Sequence, residues 1–166
     1  MNTKMVVRIA VLSAILCVIQ LMISYLPNIE FVTLLLIVFS LHLPLKEGIW
    51  ICIVFSTMQG LLYGFHLWTL MYYVIWSFYC VIVYVLKNRL DNWVKVAVLA
   101  SIFGFAFGSL HSIPYFFIGG VSMGKANIIA GLLFDLVHGV GNFVIATVLF
   151  DSVNKYFNRY IDNKRN

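Results

Sequence analysis

Apolar runs separated by brief polar breaks dominate this chain. Six can be marked: Met5 to Leu26, Ile29 to Leu43, Gly48 to Phe65, Leu67 to Leu86, Trp93 to Ile118 and Ala126 to Phe150. A membrane-crossing helix needs roughly 20 mainly apolar residues, so the pattern predicts an all-α membrane protein with six transmembrane helices. The breaker pair Pro27-Asn28 closes the first run and Pro44 the second. The segment between these prolines reaches only about 24 Å as a helix, so the second span is expected to cross a thinned region or to let its ends dip into the protein. Glu30 would then start a helix near the outer surface.

Of 166 residues, 63% are hydrophobic and 10% charged, which is too apolar for a soluble surface. The connections are short and no strong internal repeat is visible, so residues 1–166 are expected to form one compact bundle without a separate soluble domain. The first run has basic residues ahead of it, as a signal peptide does. No small-residue cleavage site follows, so it is expected to stay as the first helix.

Eleven basic and six acidic residues give a net charge of +5. Their distribution decides what that means. With the amino terminus inside, Lys4, Arg8, Lys46, Lys87, Arg89, Lys95, Lys155, Arg159, Lys164 and Arg165 all fall on the cytoplasmic side, leaving Lys125 outside. The positive-inside rule thus predicts cytoplasmic N and C termini and a multi-pass protein of the cell membrane, not a nucleic-acid partner. The basic, aromatic stretch from Asn154 to Asn166 reads as an interfacial end that anchors the last helix. Cys17, Cys52 and Cys80 lie in apolar runs without paired spacing and read as packing residues.

Ionisable groups inside a span are costly and therefore mark candidate sites. Asp135, His138 and Asn142 recur at i, i+3 and i+7, which keeps them within roughly 60° of one another on one helical face. They are either a network locking the sixth helix to the fifth through His111, or the polar end of a solute pocket. No span supplies a Lys or Arg for that carboxylate, which favours a solute with a protonated amine or several N–H donors. Gln59, Tyr63, Trp68, Tyr72, Tyr73, Trp76, His111 and Tyr115 gather in the outer half of the same bundle. Some of these rings belong to an ordinary interfacial belt. Together they also suit a cavity for a flat heterocycle, with Glu30 and His66 near its mouth.

Complete catalytic or metal-binding sets are not legible. Asp135, His138 and His111 could approach a metal, but no His-Glu-x-x-His pair, phosphate loop or serine nucleophile motif accompanies them. The expectation is a protein without catalysis, cofactor or metal of its own.

Ala10 and Ala14, with Ser13 beside them, form a small-residue patch on the first helix that invites another helix. This patch, the six runs, the topology and the size resemble the substrate-binding S component of an energy-coupling factor (ECF) type vitamin transporter. Local echoes are Leu26-Pro27-Asn28-Ile29-Glu30, Ile113 to Gly119, and Phe134-Asp135-Leu136-Val137-His138 leading to Gly141-Asn142-Phe143. The resemblance covers essentially the whole chain. It implies capture of a vitamin or related heterocyclic precursor from outside, with Ala10, Ser13 and Ala14 meeting a transmembrane coupling subunit. It also implies two cytoplasmic ATPase subunits, which would use the ATP, and a toppling motion in the bilayer. The short first external loop leaves the lid to the segment around His66 or to Gly119–Lys125. The competing expectations are a self-sufficient proton-coupled transporter or channel using Asp135 and His138, and an intramembrane enzyme around His111, His138 and Asp135.

Overall fold

The computed structural model describes residues 2–163, and the side chains only as far as Ile161; Lys164 and Arg165, counted above for the charge rule, lie outside the described residues. Within them the chain is helical throughout: α1 (Thr3–Met22), α2 (Val32–His42), α3 (Leu45–Tyr63), α4 (Leu67–Leu86), a 3-10 turn at Lys87–Arg89, α5 (Trp93–His111) and α6 (Ile113–Asn163). Helices suit an apolar solvent because every backbone donor and acceptor is met within the segment. Five of them, all but α2, are long and apolar enough to cross a membrane. The chain is thus an apolar helical bundle of a kind compatible with a bilayer.

The short helix is the central one. α2 touches each of the other five helices, while α1 packs on α3, α3 on α4, α4 on α5 and α5 on α6 around it. Eight of its eleven residues are buried, as expected of a helix that is apolar all round. At 1.5 Å per residue it is about 16 Å long, shorter than the sequence suggests. The reason lies at both ends. Asn28 takes a left-handed turn with φ 61°, which Asn tolerates better than most residues, and Leu43 is already extended ahead of Pro44. The Glu30 carboxylate accepts the Thr33 N–H at 2.8 Å and so caps the first turn of α2.

Below the far end of α2, the last turns of α6 fold under the bundle. His42 Nε2 meets Asn154 Oδ1 at 2.7 Å and the Phe39 and Phe157 rings lie 5.0 Å apart. Beside them, Arg8 on α1 donates two bonds of 2.6 Å to Glu47 on α3. A fork-to-carboxylate pair of this kind fixes the rotation of one helix against another. Glu47 is buried, so leaving it without Arg8 would cost about 3–5 kcal/mol.

The two largest departures from the hydropathy pattern lie between α5 and α6. The fifth run was expected to continue to Ile118, but α5 stops at His111, Ser112 caps it, and Pro114 occupies the first turn of the next segment. The sixth was expected from Ala126, but helix already begins at Ile113 and is interrupted only at Gly119–Gly120, where Gly120 has φ 72°. Hydropathy does not register this because the break is conformational: only glycine takes that backbone freely, and the polar residues after it remain helical.

Candidate functional site

At the end of the bundle opposite Arg8, a cavity of about 450 Å³ opens between the last turns of α1 and α3, the α1–α2 connection, the start of α4, and the facing sides of α5 and α6. Its size falls in the range of small-molecule sites. The short α2 creates it, because α2 begins only at Val32 and leaves the space above its first turn to side chains of the surrounding helices.

Aromatic rings make the walls. Tyr72 lies parallel to Phe55 with centroids 6.4 Å apart, and Trp76 packs edgewise on both. Phe107 of α5 stands 5.2 Å from Trp76 and 4.8 Å from the His138 ring. Trp68, at the rim, stacks on His111 at 3.9 Å, and His111 is itself fixed by Nδ1 at 2.9 Å from the Phe107 carbonyl. The α3–α4 turn is tied down by Thr69, whose hydroxyl donates to the Gly64 carbonyl and accepts the His66 N–H. These contacts give the rings fixed orientations, which lowers the entropy lost when a guest is bound.

Polar groups enter the cavity at few points. Glu30 and His138 form its ionisable pair, with Oε1 and Nε2 3.2 Å apart and both residues buried. Gln59 is 2% exposed and lines the depth of the cavity; its nearest partner is the Cys17 sulfur at 4.0 Å, a weak contact. The Trp76 indole N–H and the Gln20 amide oxygen belong to lining residues and have no partner among the described residues. Unpaired buried polar atoms cost about 1–3 kcal/mol each.

Of the residues singled out from sequence, Glu30, Gln59, Tyr63, Trp68, Trp76 and His138 line the cavity, and Tyr72 and His66 do as well. His111 stands behind Trp68 and does not line it. Asp135 is turned the other way: its carboxylate accepts the N–H groups of Gly108 and Ser109 at 2.6 and 3.1 Å and the Ser109 hydroxyl at 3.2 Å. Asn142 donates to the Thr33 hydroxyl and, at 3.5 Å, to the Ala100 carbonyl. Tyr73 is bonded to Thr57 at 2.9 Å, and Tyr115 sits beyond the end of α5. None of these four lines the cavity. On α1, Ala10 is exposed and Ala14 half-buried, whereas Ser13 is buried and bonded to the Ile51 carbonyl of α3. An outward patch on this helix thus comprises the two alanines without the serine.

Sequence reasoning missed Gln20, Ser24, Phe55 and Phe107 as lining residues. Gln20 carried a signal, being an amide inside an apolar run; the two phenylalanines carried none, since ordinary core positions look the same.

Chemically, the cavity offers stacking surface, one carboxylate shared with an imidazole, and the Gln59 amide. This is equipment for holding a flat polar guest. No cluster of three or more His, Cys, Asp or Glu side chains placed to hold a metal ion occurs among the described residues. In comparisons with protein-family models, with curated proteins and with solved structures, nothing matches this chain.

Proposed function

We propose that this chain is a membrane-embedded capture protein that binds a vitamin or related small heterocyclic precursor from outside the cell membrane and has no catalytic step of its own. The observation that carries the reading is the fixed aromatic cavity with the Glu30–His138 pair at one end of an apolar bundle. Supporting it, Lys4, Arg8, Arg89 and Lys95 lie at the opposite end, near the start of α1 and the α4–α5 connection. The positive-inside rule makes that end cytoplasmic, and so the cavity faces out, with six spans and both termini inside. In this arrangement α2 is the sixth span, and the protein around it compensates for its short length.

A binding protein that performs no work needs partners for uptake. The resemblance to ECF S components supplies a candidate set: a transmembrane coupling subunit meeting the outward face of Ala10 and Ala14, and two cytoplasmic ATPases. The second reading, a self-sufficient proton-coupled transporter or channel, is favoured by one observation, the buried titratable pair Glu30–His138. Asp135 is a poor relay for it, since three donors already hold its carboxylate.

A thermal-shift screen of the purified protein against water-soluble vitamins and nucleobase-like precursors separates the two, because a ligand that binds only the folded state raises its melting temperature. The capture reading expects a strong hit and no uptake by this chain alone in liposomes. No hit, together with proton-coupled flux by the chain alone, would overturn it.

A further inference from the structure

The charges around the cavity define its guest more narrowly. Among the described residues that line it there is no Lys and no Arg, while Glu30 lies 6% exposed in its wall. The carboxylate accepts the Thr33 N–H at 2.8 Å through Oε2, meets the His138 ring at 3.2 Å through Oε1, and has the Thr33 hydroxyl as a further donor. An ionised carboxylate accepts about four hydrogen bonds, so capacity remains for a guest. The titratable neighbours on the surrounding elements are His138 from α6, Tyr72 from α4, Tyr63 from α3 and His66 from the α3–α4 turn. The only other acidic group of the cluster, Asp135, faces the α5 backbone instead.

The rings point the same way. Indole, phenol and phenyl faces carry negative potential and attract a cation lying over them. Trp76, Tyr72, Phe55 and Phe107 stand within 5.2 to 6.4 Å of one another where the structure pairs them, around the space that Glu30 overlooks. An anion entering here would meet a buried carboxylate with no Lys or Arg to offset it, and the His138 imidazole is already engaged by that carboxylate. A neutral ring would gain stacking and could offer N–H donors to Glu30, but it would leave the charge of the carboxylate unbalanced.

On the reading that this cavity captures a solute, we infer that the solute is a flat heterocycle bearing a positive charge, with Glu30 as its counter-ion and the aromatic walls as its bed. The charge is either fixed, as in an N-alkylated ring, or held as a protonated ring nitrogen with its N–H directed at the carboxylate.

Three probes that share one ring and differ in charge test this: 1-methylnicotinamide, nicotinamide and nicotinate. Binding is read by quenching of tryptophan fluorescence and by thermal shift on the purified full chain. The cation should bind at least about tenfold more tightly than the neutral amide, with nicotinate weakest. Glu30→Gln, which can still accept the Thr33 N–H, should bring cation and amide to within about threefold. Equal affinities, or an order with nicotinate first, would overturn the inference while leaving capture standing. Silence from all three probes would overturn it too, and an empty vitamin screen beside that silence would remove the capture reading as well. Should Glu30→Gln fail to fold, the order measured on the unaltered protein decides alone.

Discussion

Glu30 and Asp135 are both acidic, both about 5% exposed in an apolar bundle, and held in opposite ways. Asp135 sits on a seam where two backbones touch: a Cβ on Gly104 would come within 2.8 Å of the Gly139 Cα, and one on Gly108 within 2.5 Å of Asp135 itself. Its carboxylate is satisfied by three donors of α5, in a place with no room for anything else. Glu30 is bonded to Thr33 and His138 and has a cavity in front of it. The contrast teaches that cost alone does not make an intramembrane carboxylate a receptor. A carboxylate bonded across a close-packed seam locks two helices together, whereas one beside open volume has space to meet a guest.

The seam is where substitution should do most harm. Gly104→Leu forces a side chain into the α6 backbone and should abolish the folded, monodisperse protein in detergent chromatography. Gly131→Leu is its control: a Cβ there meets nothing within 4 Å, so the protein should stay folded. Should Gly104→Leu behave like the control, the seam is not close-packed. Next in size is Asp135→Leu, which removes the acceptor shared by the Gly108 and Ser109 N–H groups and the Ser109 hydroxyl and should cost about 1–3 kcal/mol in thermal unfolding. The folded fraction should bind the screen's hit with unchanged affinity. A large loss of affinity at unchanged stability would move Asp135 into the receptor and erase the distinction. Smaller still, Gln59→Leu removes an amide from the cavity at similar volume. Affinity should fall by about tenfold or less, while the melting temperature of the ligand-free protein hardly changes, since the amide has only the weak Cys17 contact to lose.

Much of the fold is legible in the pattern of apolar runs, because lipid leaves the backbone few options. What it does not show is that α2 is central. Only its all-apolar composition hints at that, and Pro27, Asn28 and Pro44 make it short. The site was legible in direction more than in partnership. The i, i+3, i+7 spacing puts Asp135, His138 and Asn142 on one face, yet that face meets α5, the α1–α2 connection and α2 in turn, and each residue does something different there. Glu30 reads from sequence as a helix start near the mouth, and nothing in its own surroundings predicts that the chain folds back to bury it against His138. Pairings separated by 108 positions depend on which helices cross, and a single sequence carries no record of that.

Accessibility of the cavity from outside is the centre of this account, and Tyr63, half exposed at its mouth, gives direct access to it. The three native cysteines are buried and should stay silent, so a thiol placed by Tyr63→Cys can be followed with a membrane-impermeant maleimide on intact cells. The account predicts labelling from outside, slowed when a mixture of water-soluble vitamins is present, while Thr3→Cys labels only in inverted vesicles. Labelling of Tyr63→Cys only in inverted vesicles, or labelling on intact cells at a rate that no vitamin changes, would contradict it.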